Sequence, residues 1–246
     1  MQFPELKQRM ALKMEARAAL AGKWGTAIAG LLVCYIYFGV LAAVINLISI
    51  QTAYKTLIGI VASIFLTAPV AMGFHRFYLK MSRGKTPEIK ELFQPFAFYS
   101  LAIYTFLGWL IISAISGLIT AIPDLIGVVS LHGFIRWPVE FLFTLLSIFF
   151  LLVARGLFGI VFYFANDNIE LSAVEVYQKC YHYMKDHWAN YIVLELSFLG
   201  WLILGMLSCG IGLLWVIPYM EVTMCKYYEN LKQHIEGTEE PAFSEE

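Results

Sequence analysis

The chain has 246 residues, 60% hydrophobic and only 14% charged, with 17 basic against 18 acidic side chains and a mean hydropathy of +0.70. That composition excludes an ordinary soluble domain and leaves room for one membrane domain and little else. Neither sign of charge dominates, and no nucleic-acid partner is expected.

Residues 1–22 open the chain as an amphipathic helix. Phe3, Leu6, Met10 and Met14 recur at three- and four-residue steps, and Lys7, Arg9, Lys13 and Arg17 share the same helix. An interfacial helix on the cytoplasmic leaflet, drawn to anionic lipid, is expected, with a soluble basic arm as the alternative. No A-x-A site follows this charged stretch, and the first apolar run is long enough to span, so no cleavable signal peptide is expected.

Spans are expected at about 24–50, 56–78, 99–122 and 139–165, with Pro69 inside the second and Arg155 inside the fourth. Between the second and third, Thr86-Pro87-Glu88 reads as a helix start, and Ile89, Leu92, Phe93 and Phe96 give the short helix an apolar face. The stretch 121–138 is the longest outer connection. Ser172 and Glu175 fit a capping box for an amphipathic helix on which Val174, Tyr177, Cys180, Tyr181 and Met184 share a face.

The stretch 188–228 is apolar almost throughout, and as one helix it would measure about 60 Å, twice a bilayer's hydrocarbon core. It must fold back, and Ser208-Cys209-Gly210-Ile211-Gly212 offers two glycines for the left-handed turn. Spans five and six therefore fall at about 189–207 and 212–231. Residues 236–246 carry acids and no base and read as a disordered tail.

The expected fold is thus all-α: a polytopic membrane protein with six transmembrane helices in one domain, 1–235, and about three short amphipathic helices on the cytoplasmic side. Of the 17 lysines and arginines, fourteen fall on the side of the N-terminal arm, and only Lys55 and Arg136 fall opposite. That bias places both termini in the cytoplasm. Phe106-Leu107-Gly108-Trp109-Leu110-Ile111 recurs as Phe198-Leu199-Gly200-Trp201-Leu202-Ile203. Pro69 with Arg76-Phe77-Tyr78 is echoed by Pro218 with Lys226-Tyr227-Tyr228. Three copies of an interfacial helix followed by two spans, or chance identity in leucine-rich sequence, both account for these echoes.

Arg155, Phe164-Ala165-Asn166-Asp167-Asn168, Leu194-Glu195-Leu196-Ser197, Gly210-Ile211-Gly212-Leu213-Leu214-Trp215 and Pro218-Tyr219-Met220 together resemble a bacterial family of integral membrane proteins catalogued as domain of unknown function 975. Leu6-Lys7-Gln8-Arg9 and Trp24-Gly25 are similar to it as well. The resemblance implies a bacterial cell (inner) membrane and supplies no catalytic residues. The family pattern has an acid at the position of Glu195 and a small polar residue at that of Glu221.

A charge at bilayer depth costs at least about 2.5 kcal/mol, so Arg155 is expected to face the bundle interior and to pair with Glu195, Glu221 or both. A binding or proton-coupling site and a water-filled vestibule are the competing readings of that cluster. His75 and Arg76, at the inner end of span two, are expected at lipid headgroups, and Trp24 and Trp188 as interface anchors. Ser113 and Gly117 have the spacing that lets membrane helices approach closely. The four cysteines, Cys34, Cys180, Cys209 and Cys225, show no C-x-x-C spacing, and His182 and His187 do not share a helical face. No catalytic motif appears, so no enzyme activity, cofactor or metal is expected. The expected function is that of an uncharacterised multi-pass membrane component, a scaffold or accessory subunit in envelope maintenance or export. A small-solute transporter working around Arg155 is the alternative, with an intramembrane lipid enzyme third. The partners are membrane lipids and, for an accessory subunit, a membrane protein.

Overall fold

The computed structural model describes residues 6–47, 59, 61, 63–125 and 133–239, and all regular structure among them is helical. The start of the first helix, the far end of the first span and the beginning of the second, part of the outer connection, and residues 240–246 lie outside the described residues.

Helix α1 (Leu6–Leu20) buries Leu12, Ala16 and Leu20, one residue per turn, against the last helix of the chain. Met10 and Met14 are 58% and 67% exposed, so the buried stripe is not the one their spacing suggested. The small Ala16 permits close approach, and packing selects that face over the one with larger side chains. Gly22, at φ +74°, turns the chain into α2 (Trp24–Leu47). Ala27, Leu31 and Cys34 of α2 are buried, whereas Val40, Val44 and Leu47 are exposed.

A π turn (Ser63–Thr67) leads into α3 (Ala68–Ser82), which carries Pro69 in its first turn. Two carbonyls of the π turn accept hydroxyl bonds, Phe65 from Tyr99 at 2.6 Å and Leu66 from Tyr37 at 3.0 Å, so its irregular ladder stays satisfied. The next short helix is a 3₁₀ segment (Ile89–Phe98) whose N-cap is Glu88 rather than Thr86, with Glu91 accepting from the Glu88 N–H. Leu92 and Pro95 are its buried residues, while Ile89, Phe93 and Phe96 are exposed. Gly73 of α3 sets the close contact between these two elements, because a Cβ there would lie 1.9 Å from the Leu92 carbonyl oxygen.

Helices α4 (Tyr99–Leu125) and α5 (Gly133–Phe158) pack along each other. Their polar clasp is Ser116 with Ser147, whose hydroxyl oxygens are 2.5 Å apart. Gly117 faces open space and Ser113 bonds the Trp109 carbonyl of its own helix, so the expected small-residue pair is not a packing seam.

The fourth span was expected as one helix, but it breaks at Gly159–Ile160, and α6 (Val161–Asp167) continues beyond. Every residue from Ile160 to Asn166 is buried, so α6 is the most enclosed element of the chain. It packs on α3, α4 and α7 (Ala173–Met184). The Ser172–Glu175 capping box of α7 is present. Its buried stripe is Val176, Cys180 and Met184, whereas Val174 and Tyr181, expected on that face, are 66% and 49% exposed.

The fifth expected span is interrupted at Ser197–Phe198, giving α8 (Trp188–Leu196) and α9 (Leu199–Leu207). The hairpin turn comes where it was expected, but Cys209 (φ 56°) and Gly210 (φ 83°) take the left-handed conformation, and Gly212 does not. The last helix, α10 (Leu213–Glu239), runs into the segment expected to be irregular.

Among the described residues, four helical runs are long and apolar enough to cross a membrane: Trp24–Ile45, Tyr99–Pro123, Arg136–Asp167 and Trp188–Leu207. Helices α3 and α10, at the second and sixth expected spans, carry more charge and form the centre of the packing. Tyr78 and Tyr228, which occupy matching places in the repeated motif, are both fully buried. Tyr78 donates to the Ala27 carbonyl at 2.8 Å and Tyr228 to Asp167 Oδ2 at 3.0 Å.

Candidate functional site

Charged side chains enclosed by this packing meet in three places. The first joins α5 to α8. Arg155 reaches out from the last turn of α5, and its Nη2 pairs with Oε1 of Glu195, two residues before the α8 break. The Trp109 ring of α4 covers the guanidinium, 5.8 Å from centroid to Cζ. Arg155 Nε and Glu195 Oε2 are buried with no hydrogen-bond partner among the described residues. The pair is therefore neutral as a unit and still has a donor and an acceptor free.

The second place is where α3, α6 and α10 meet. Glu221 Oε2 accepts a hydrogen bond from the Tyr163 hydroxyl at 2.8 Å. His75 Nδ1 lies 3.3 Å from the same oxygen, at an angle short of a hydrogen bond, so this contact is an ion pair when the imidazole is protonated. The imidazole stacks on Phe162 at 4.9 Å and meets Tyr163 edge-on at 5.2 Å. The histidine expected at headgroups thus turns toward an acid in the bundle. The structure brings Arg155 to Glu195 and brings Glu221 to His75 and Tyr163.

The third place ties the ends of α3, α6 and α10 together. Arg83 grips Asp167 with two parallel bonds, 2.8 and 2.6 Å, and donates from Nε to Glu229 at 3.0 Å. Ser82 and Lys226 also bond Glu229, while Tyr228 and Lys232 reach Asp167. Fork-to-carboxylate geometry gives such a node direction as well as attraction. Arg83 and Glu229 did not stand out in the sequence, because charges just past apolar runs read as solvated ends, and Asp167 entered only within a stretch that resembles the family. The one available signal was the polar triplet Asn166-Asp167-Asn168. Asn166 faces inward too, donating to the Met72 and Phe162 carbonyls at 3.0 and 2.8 Å.

Of the remaining expected contacts, Arg76 is half-buried on α3, next to His75. Trp188 opens α8 against α5, where Gly156 leaves room for its carbonyl. Trp24 lines an apolar groove with Trp201 and Trp215. Nearby, Lys80 pairs with Glu91 and Lys23 bonds the Gly84 carbonyl, so basic residues of three connections gather at one end of the molecule.

A family model described as "Protein of unknown function (DUF975)" matches residues 1–235. No curated protein and no solved structure matches the chain.

Proposed function

We propose that this chain, which belongs to the DUF975 family of proteins of unknown function, is a non-enzymatic membrane component, a scaffold or accessory subunit in envelope maintenance or export at a bacterial cell membrane. In this reading six helical units cross the bilayer: α2, the π turn with α3, α4, α5 with α6, α8 with α9, and the first part of α10. Both termini face the cytoplasm, and α1, the 3₁₀ segment and α7 rest at the inner leaflet.

One observation carries the reading. The enclosed charges pair across helices, Arg155 with Glu195 and Glu221 with His75 and Tyr163, in a way that ties elements together. A scaffold needs such fixed ties and an apolar exterior for its partner. The outer part of α2 and the outward surfaces of α4 and α5 supply that exterior, with Val40, Ile115 and Phe141 exposed. Photo-cross-linkers placed at Val40, Ile115 and Phe141 in cells should give a discrete adduct with a membrane protein. Adducts with lipid alone at all three positions would remove the accessory-subunit reading.

The free Arg155 Nε and Glu195 Oε2 favour the transporter alternative, since a small zwitterion would complete both. Uptake into proteoliposomes that disappears in Glu195→Gln while the protein stays folded would establish it.

A further inference from the structure

We propose that the groove between α1 and the α9–α10 hairpin binds one anionic phospholipid, with its phosphate at Arg17 and Lys13 and one acyl chain along the groove. The inference rests on the membrane placement proposed above and goes beyond it by naming a ligand and a site.

The groove encloses about 540 Å³, within the size range of small-molecule sites, and its lining is almost entirely apolar. Trp24, Trp201, Trp215 and Leu204 form walls, and Arg17 and Tyr219 stand at its edge. Glycines at 205 and 212 line it and let the two arms of the hairpin close on each other: a Cβ on Gly212 would lie 2.9 Å from the Gly205 Cα.

The charge beside this apolar cleft is one-sided. Arg9, Lys13 and Arg17 follow at four-residue steps on α1 and so share one face. None of the three meets a carboxylate among the described residues. Lys13 donates to the Ser197 carbonyl, freed by the α8–α9 break, at 3.3 Å and lies 4.4 Å from the Phe198 ring centre. Two of its three N–H donors remain available. The Arg17 guanidinium rests over the Tyr219 face at 5.4 Å, which leaves its N–H edge for an anion, and Tyr219 is held in place by its bond to the Lys13 carbonyl. Burial first, then Arg9 and Arg17, lower the Lys13 pKa, the direction that uncompensated positive charge produces. A bound anion would relieve that repulsion. The complement of a basic mouth on an apolar, tryptophan-walled groove is an anionic amphiphile.

The test uses full-length protein in detergent micelles, so that it does not depend on the number or orientation of spans. Tryptophan emission is titrated with phosphatidylglycerol brominated on its acyl chain and, separately, with the equivalent phosphatidylcholine. Phosphatidylglycerol should quench at a roughly fivefold lower mole fraction, the factor that about one effective basic contact supplies. Arg17→Gln should bring the two lipids together, whereas Arg17→Lys, which keeps the charge, should retain the preference. Ala21→Phe, which fills the groove from an exposed turn, should weaken quenching by both lipids without moving the thermal transition. Replacing all three groove tryptophans, Trp24→Phe with Trp201→Phe and Trp215→Phe, should remove the lipid-selective quenched component. Equal quenching by both lipids in the unaltered protein, or a preference that survives Arg17→Gln, would overturn the proposal. Displacement of the brominated lipid by inorganic phosphate would also overturn it, because the head alone would then be the ligand.

Discussion

Arg155 shows what a single charge demands of its surroundings. Its guanidinium does not lose its proton, so an apolar setting forces it to find an acid, and Glu195 is that acid. Removing one partner of a buried pair leaves a lone charge and costs about 3–5 kcal/mol, whereas removing both approaches neutrality. Arg155→Leu or Glu195→Gln alone should therefore lower the stability of detergent-purified protein by about 3 kcal/mol, the lower end, because the arginine side chain is 39% exposed. The double variant should recover most of that loss, while Arg155→Leu with Glu221→Gln should add. Recovery with Glu221 instead would contradict the pairing. Helical spacing made the need for an acid legible but left Glu195 and Glu221 equivalent, since it gives a face and not a neighbour, and only the family resemblance set the two apart. His75 decides the matter by occupying Glu221, and nothing local in the sequence turns that histidine inward. A second ion pair gives a pH signature outside the spans. Burial pushes the Glu91 carboxyl up, but the Lys80 ammonium and the Glu88 N–H win and hold it below its ordinary 4.5. Its stabilising contribution is thus present above the unfolded value and disappears as pH falls through the folded one. Melting temperature should decline between about pH 5 and 3, and Lys80→Met should flatten that part of the profile.

Contacts between elements turn on backbone approach, which hydropathy does not encode. Gly73 and Gly117 are both helical glycines in apolar sequence, yet one is enclosed and the other faces open space. Gly73→Ala would press a methyl into the Leu92 carbonyl and separate the 3₁₀ segment from α3, costing about 1–3 kcal/mol or more. Gly117→Ala should be neutral or stabilise by about 0.5–1 kcal/mol, the gain in helix propensity. Equal effects in thermal unfolding would mean that the close contact is not what Gly73 supplies. The same limitation explains the amphipathic helices. The existence of α1, α7 and the 3₁₀ segment could be read from their periodicity, and the α7 capping box was visible residue by residue. Their buried stripes were displaced, because Leu12-Ala16-Leu20 and Val176-Cys180-Met184 are the sets that fit a neighbour, while Met10, Met14 and Val174 stay outside. The breaks at Gly159 and Ser197 were illegible for a related reason: an apolar run continues through both, and only the crowding of Gly159 against the Arg155 carbonyl and Tyr191 marks the first.

At the scale of the molecule, four segments far apart in sequence converge on one end. Lys23 bonds the Gly84 carbonyl, Arg83 grips Asp167 and Glu229, and Lys232 reaches Asp167. These are the connections that hold most of the basic residues, so the excess of lysine and arginine is gathered in space as well as in sequence. If the positive-inside rule governs insertion, that end faces the cytoplasm, and the α4–α5 connection faces the other way because α4 leads away from that end and α5 returns to it. A reporter active only outside should therefore work when fused after Ser130 and stay silent after Lys85 or Glu170. A reporter active only inside should give the opposite pattern. The structure also changes what spin labels on α7 should read: Val174 and Glu175 are both exposed, so aqueous quencher should reach Glu175, and lipid-soluble quencher should reach Val174 if α7 lies along the inner leaflet. Aqueous access alone at both positions would lift α7 off the membrane without altering the span count. An inside signal at Ser130 would go further. It would require an even number of crossings between each cytoplasmic terminus and the 126–132 connection, where the six-span arrangement has three on each side, and would end that arrangement.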